Sequence, residues 1–241
     1  MYARHGSVPP PRPGPRLAGH RGASALAVEN TLRAVELAAE GGCDLVEVDV
    51  HLSRDGELVV IHDADLRRLA GRAERVGELT SAELAQVSLP GGERLARLVE
   101  VLALARGRLG VYVELKGPAT GKALGALVRA GRLHGVELIG GSFEPALVAE
   151  LRGAAPEIPR SVLFERGAVA DMVASCHALG AAYAHPCFRP IDAAMVKALH
   201  DAQLRVVPPH TNDPAEARAF TEMGADVVMS DDPRVLSGLR A

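Results

Sequence analysis

The sequence predicts a (β/α)8 TIM barrel with an antiparallel hairpin strand after barrel strand 2. Three observations carry that expectation. Short apolar runs alternate with amphipathic helical patterns from residue 17 onward. The chain has 241 residues, close to the roughly 250 typical of such a barrel. One surplus strand is explained by a turn at Asp55-Gly56, which leaves eight strands joined by helical crossovers.

Strands are expected at 17–20, 44–52, 58–62, 110–116, 137–142, 159–164, 182–186, 204–208 and 226–230. Helices are expected at 30–40, 80–86, 95–106, 120–133, 145–154, 168–179, 191–202 and 214–223. Thr80-Ser-Ala-Glu83 is a capping box, and Gly41 and Gly180 stand where helices end. The gap between 52 and 58 is too short for a parallel crossover, which needs a dozen residues or more. Strand 58–62 therefore returns antiparallel beside 44–52, and His62 comes back toward Glu47 and Asp49. An open doubly wound sheet is the competing architecture, but no Gly-x-Gly-x-x-Gly follows the first strand.

Residues 1–16 read as a Pro-rich extension and 17–241 as a single catalytic domain. A hydrophobic fraction of 48% supplies an ample core. The formal net charge of -3 gives no general attraction to nucleic acid or to an acidic membrane surface. No apolar run approaches the ~20 residues of a membrane span. Three cysteines without metal-ligand spacing, and no apolar leader segment, point to reduced thiols and a cytoplasmic setting.

The chemistry sits at strand ends. Residues i and i+2 of a strand share a face, so Glu47 and Asp49 point the same way, as do Glu114 and Lys116. The run Leu-Val-Glu-Val-Asp-Val is apolar on both sides, and burying carboxylates there without a partner is costly. Glu47, Asp49 and Glu114 form an all-oxygen donor set suited to Mg2+ or Ca2+. His20 and His62 offer a general base and a general acid at neutral pH. Arg21 and Lys116 suit anionic phosphoryl oxygens. In barrels of this kind active sites lie at the C-terminal ends of the strands, near which His20, Arg21, Glu47, Asp49, Glu114 and Lys116 fall. His51, His185 and His210 are further strand-end histidines. Arg67, Arg68, Arg72 and Arg75 read as a solvated basic loop, with phosphate steering as the alternative.

Taken in order, His20-Arg-Gly-Ala, Glu29-Asn30-Thr31, Asp44-Leu-Val-Glu47-Val-Asp49, His62-Asp63, Glu114-Leu-Lys116, Ser142-Phe143 and Ser230-Asp-Asp-Pro233 resemble the glycerophosphodiester phosphodiesterase family. The resemblance runs from about residue 17 to the C-terminus. It implies a TIM barrel that hydrolyses glycerophosphodiesters to sn-glycerol 3-phosphate and an alcohol with a divalent metal. It implies Glu47, Asp49 and Glu114 as metal ligands, His20 and His62 as the acid/base pair, and Arg21 and Lys116 as phosphate contacts. Glu29 and Asn30 become structural supports of the first loop, Asn30 also being suited to a helix N-cap. The attacking group is either water or the substrate 2-hydroxyl.

The chain departs from the family pattern along one wall. A Thr-rich stretch after His-Asp is here Leu69-Ala-Gly-Arg72, Pro-Thr-Leu-Glu-Glu is Ala96-Arg-Leu-Val-Glu100, and Trp-Thr-Val-Asn is Pro209-His-Thr-Asn212. There is no Trp at all, and Tyr112, Phe143, Tyr183 and Phe188 are the aromatic residues expected near the rim. Two alternatives remain in view. A phospholipase-type phosphodiesterase acting on lysophospholipids requires an apolar groove. A non-catalytic phospho-ligand-binding barrel would have lost a carboxylate or an imidazole of the set.

Overall fold

The computed structural model of the protein describes residues 14–133 and 135–239. Most of the expected N-terminal extension, together with His5 and His134, lies outside the described residues. The elements run β1 (Arg16–Gly19), α1 (Leu32–Glu40), β2 (Leu45–Leu52), β3 (Leu58–Val60), α2 (Arg67–Ala70), α3 (Ser81–Leu84), β4 (Ala96–Arg97), α4 (Leu98–Ala105) and β5 (Gly110–Leu115). They continue α5 (Thr120–Arg129), β6 (Leu138–Ser142), α6 (Pro145–Ala154), β7 (Arg160–Phe164), α7 (Val169–Leu179), β8 (Tyr183–Pro186), α8 (Ala193–Asp201), β9 (Arg205–Val206), α9 (Pro214–Glu222), β10 (Val227–Ser230) and α10 (Pro233–Leu236). β1 begins inside the stretch read as the extension.

Eight strands follow one another in the order β10-β1-β2-β5-β6-β7-β8-β9, every pair parallel. Backbone hydrogen bonds from Asp226 N to Val206 O and from Thr211 N to Met229 O, both 2.9 Å, span the seam between β9 and β10. The expected barrel is thereby borne out. So is the hairpin. β3 pairs antiparallel with β2 through Val50↔Val60, His51↔Val59 and Leu52↔Leu58.

Alternation along the strands sorts the core into two layers. Outward residues such as Val46, Val48, Val111 and Val113 join the layer under the helices. Inward residues Ala18, Leu45, Tyr112, Ile139, Tyr183 and Val227 fill the barrel. Above Leu45 on the same inward face come Glu47 and Asp49, and above Tyr112 comes Glu114. The β2–β5 register sets Asp49 directly beside Glu114.

The segment between β3 and α4 departs from expectation. Ala96–Arg97 begins as a strand, β4, antiparallel to β3, and the helix starts only at Leu98. A satellite core of Val59, Ile61, Leu66, Val76, Leu84, Val87, Leu89 and Leu95 fills this insertion. That packing requires the extra pairing, which helix periodicity alone does not show. Thr31, not Asn30, caps α1, accepting from Ala34 N at 3.2 Å. Asn30 is instead at φ 60, with its side chain turned toward β2. The Thr80 capping box is present.

Gly22 illustrates how tightly the first loop is built. It sits at φ +81, and a Cβ there would stand 2.6 Å from both the carbonyl carbon and the Cβ of Ala34. A left-handed non-glycine residue costs about 1–2 kcal/mol and overpacking a core about 1–3 kcal/mol more. We expect Gly22→Ala to lose about 2–4 kcal/mol of stability in urea unfolding. A loss below ~0.5 kcal/mol, within the usual scatter of surface substitutions, would show that the loop relaxes freely.

Candidate active site

At the C-terminal mouth of the barrel, Glu47, Asp49 and Glu114 bring one carboxylate oxygen each to within 4.8 Å of one another. Glu47 is 2% exposed and Asp49 1% exposed. Glu47 and Asp49 are each anchored through one oxygen. Arg21 N donates to Glu47 Oε2 at 2.8 Å. Asn30 Nδ2 donates to Asp49 Oδ2 at 2.9 Å, and Asp49 N donates to Asn30 Oδ1 at 3.1 Å.

The opposite oxygens, Glu47 Oε1, Asp49 Oδ1 and Glu114 Oε1, are buried without a hydrogen-bond donor. Lys116 Nζ lies 2.5 Å from Glu114 Oε1 and 3.3 Å from Asp49 Oδ1. Lys116 thus offsets part of the charge of Glu114 and Asp49. Glu47 Oε1 has not even that.

Burial, then the charges of Asp49 and Glu114, push the Glu47 carboxyl well above its ordinary value. Burial, then Asp49, pushes Glu114 up to about 7. Burial opposes the Lys116 charge, but Asp49 and Glu114 outweigh it and hold the ammonium above its usual range. Three convergent, under-coordinated oxygens from hard donors fit a divalent cation.

Each imidazole stands against a carboxylate. His20 Nδ1 is 2.7 Å from Asp231 Oδ1, and His62 Nδ1 is 2.7 Å from Asp63 Oδ1. With Nδ1 engaged, Nε2 is the nitrogen left for proton transfer. Asp231 is fixed in turn by Ser24 Oγ at 2.9 Å and Asn212 Nδ2 at 2.7 Å. Burial works against its charge, yet hydrogen bonds from His20 and Asn212 hold its carboxyl far below the usual range. His210 stacks on His20 with centroids 3.9 Å apart. Burial, and then the neighbouring His20, push His210 down to about 4. A cleft of about 310 Å³ opens here, lined by His20, Arg21, Ser24, Glu29, His210 and Asp231.

Arg21 is likewise braced, with Nη1 3.1 Å from Glu29 Oε1 and Nε 3.4 Å from Asp49 Oδ2. The sequence-predicted set of His20, Arg21, Glu47, Asp49, His62, Glu114 and Lys116 thus occupies the C-terminal ends of β1, β2 and β5 and the hairpin segment after β3.

The family model for the glycerophosphoryl diester phosphodiesterase family matches residues 20–235. The chain belongs to that family. A glycerophosphodiester phosphodiesterase of Caldanaerobacter subterraneus is 27% identical over 235 residues, covering 91% of this chain and 95% of that protein. An Oleispira antarctica phosphodiesterase, solved with the product sn-glycerol-3-phosphate, superimposes with a TM-score of 0.85 at 27% identity over 95% of this chain and 98% of that one. A glycerophosphodiester phosphodiesterase of Agrobacterium tumefaciens gives 0.78 at 28% identity, covering 92% and 98%.

Several features of this family member were not legible beforehand. Asp231 and Asp232 look alike in Ser-Asp-Asp-Pro, but Asp232 caps α10 while Asp231 turns to His20. Arg68 does not belong to a merely solvated loop, since it grips Asp63 and Glu29. Tyr112 and Tyr183 are no part of the rim. Both are buried inside the barrel, and Phe188 packs on the layer beneath the helices. Phe143 remains, 5.7 Å from Lys116 Nζ. Of the three further strand-end histidines, His210 lines the cleft and His185 is buried, its ring 5.9 Å from that of Tyr112. His51 Nε2 lies 3.1 Å from the His62 carbonyl. Among the described residues no helix is long and apolar enough to cross a membrane.

The raised carboxyls have a consequence for stability. Folding raises the value of Glu114 from an ordinary 4.5 to about 7, so the folded chain binds more protons than the unfolded one across that window. The Glu114 contribution to stability therefore falls as pH rises through it, while the lowered His185 and His210 act in the opposite sense below their ordinary 6.5. In chelator, the Tm of the protein relative to its Glu114→Gln variant should drop between pH 5 and pH 8, and a divalent cation should raise the Tm of the unsubstituted protein at pH 8. A Tm difference between the two that does not change with pH would contradict this reading of the cluster.

Proposed function

We propose that this family member is a metal-dependent phosphodiesterase that splits glycerophosphodiesters into sn-glycerol 3-phosphate and an alcohol by histidine acid/base catalysis. The observation that carries the proposal is the trio of buried carboxylates with unsatisfied oxygens, flanked by two Asp-braced imidazoles. Glu47, Asp49 and Glu114 hold the ion, Mg2+ or Ca2+ by the chemistry of an all-oxygen set. Bound there, it supplies Lewis-acid polarisation of the phosphoryl group and neutralises developing charge.

The protein's own residues do the rest. Arg21 and Lys116 bind the phosphoryl oxygens, Arg21 as a fork and Lys116 as a point charge. In-line displacement at phosphorus puts the nucleophile and the leaving oxygen on opposite sides, which calls for two proton-handling groups. His20, its Nδ1 proton donated to Asp231, accepts a proton at Nε2 from the attacking hydroxyl. His62 Nε2 donates a proton to the departing alkoxide as the phosphorus–oxygen bond breaks. With water as the attacker, diester plus water become phosphomonoester plus alcohol, and the two imidazoles exchange protons with solvent to reset. The single domain from residue 17 onward carries the whole site.

Two outcomes test this. Chelator should abolish hydrolysis of glycerophosphocholine, and Mg2+ or Ca2+ should restore it. His20→Ala and His62→Ala should each lower kcat by about 10²-fold or more. His200→Ala should leave kcat nearly unchanged, because His200 pairs with Asp226 at the opposite end of the barrel. Full turnover without metal, or equal losses in all three variants, would reject the assignment.

The substrate's alcohol meets a wall with few aromatic faces. Phe143 alone among the expected rim aromatics stands beside the site, and a quaternary ammonium is held best by several such faces. We expect kcat/KM for glycerophosphocholine, glycerophosphoethanolamine and glycerophosphoglycerol to agree within about tenfold, roughly 1.4 kcal/mol of discrimination. A much stronger preference for the choline ester would reveal a cage that these residues do not build.

A further inference from the structure

We infer that Arg68 is a positioning residue of the reaction, one guanidinium that sets the His62 imidazole and the Arg21 guanidinium in a common frame. The inference rests on the proposed roles of His62 and Arg21. Arg68 belongs to the short helix α2, outside the barrel, among basic residues that otherwise pair locally. Arg67 approaches Asp65 at 3.9 Å, and Arg72 binds Glu74 at 2.6 Å.

Arg68 differs because all three of its nitrogens are used on two carboxylates from distant segments. Nε donates to Asp63 Oδ2 at 2.6 Å. Nη1 and Nη2 donate to Glu29 Oε2 and Oε1, both at 2.8 Å. Each carboxylate also touches the site. Asp63 Oδ1 meets His62 Nδ1 at 2.7 Å, and Glu29 Oε1 also accepts from Arg21 Nη1 at 3.1 Å. The path His62–Asp63–Arg68–Glu29–Arg21 is continuous, and Arg21 Nε then faces Asp49.

Exposed ion pairs ordinarily contribute little to stability, and the Arg68 side chain is 46% exposed. Its effect therefore lies in orientation. Hydrogen bonds from Arg68 and His62 overcome the burial that would otherwise raise Asp63, and its carboxyl is held below the usual range. Leu66, fully buried in the satellite core, fixes the start of α2. A lysine cannot replace the fork, because a point charge does not make a bidentate contact to one carboxylate while holding another.

The test compares Arg68→Met and His62→Ala on two substrates, glycerophosphocholine and the glycerol p-nitrophenyl phosphodiester. The nitrophenolate leaves without needing a proton, whereas the choline alkoxide does need one. His62→Ala should lose about 10²-fold in kcat on the choline ester and less than about threefold on the nitrophenyl ester. Arg68→Met should follow the same pattern at smaller size, about tenfold against less than about threefold, with KM raised on both substrates through the loosened Arg21. Arg68→Lys should stay near Arg68→Met. A merely structural defect would lower both kcat values alike. Split rates in His62→Ala with equal losses, or none, in Arg68→Met would overturn the role of Arg68. The absence of a split in His62→Ala would instead remove the acid role of His62 and the frame built on it.

Discussion

Three carboxylates crowd the mouth of the barrel, and their mutual repulsion is the constraint around which the rest is arranged. Glu47 and Asp49 are held by alternation on one strand, and the β2–β5 register sets Glu114 beside Asp49. Neither arrangement can relax without breaking a central ladder of the sheet. Burying like charges is costly unless they are paired. The surroundings respond with a lysine just past the end of the strand that carries Glu114, an arginine from the first loop, and an asparagine whose amide binds both the side chain and the backbone of Asp49. One oxygen of each carboxylate is still left unsaturated, which is the condition that a bound cation relieves.

The first loop takes an uncommon backbone to reach this cluster. Arg21 is at φ 55 and Asn30 at φ 60, in the left-handed region that non-glycine residues avoid. Both are at the two points where the loop touches Glu47 and Asp49, and Asn30 N returns a hydrogen bond to Arg21 O at 2.9 Å. Such strain persists where surrounding contacts over-determine it. The close approach of Gly22 to Ala34 on α1 is one of those contacts. Placing the arginine fork and the Asp49 support therefore depends on helix packing as much as on the loop itself.

The two imidazoles are mounted differently. His20 stands at the end of β1, a barrel strand, and its partner Asp231 follows β10, which pairs with β1 in register. His62 follows β3, which has only β2 and β4 beside it, and the satellite core beneath the insertion fixes the segment that follows. One imidazole rides on the barrel proper. The other rides on an added layer, whose attachment passes through Asp63, Arg68 and Glu29. Adjusting the insertion would move His62 while leaving the carboxylate cluster in place.

The sequence alone was sufficient for the barrel and the hairpin, and it singled out seven side chains that the fold carries toward one mouth of the barrel. Their signals are local: a period of two along a strand, apolar flanks around Glu47 and Asp49, and a connection too short for a parallel crossover. What escaped it depends on residues that meet from afar. His20 and Asp231 are 211 positions apart and Arg68 and Glu29 are 39 apart, so neither pair has a local pattern. Asp231 cannot be told from the neighbouring cap Asp232, nor Arg68 from Arg67, by type or spacing. Tyr112 and Tyr183 read as rim aromatics because strand membership does not reveal height inside a barrel. Strand periodicity fixes which face a side chain takes, but only the closure of eight strands and the packing of the insertion decide what stands opposite it.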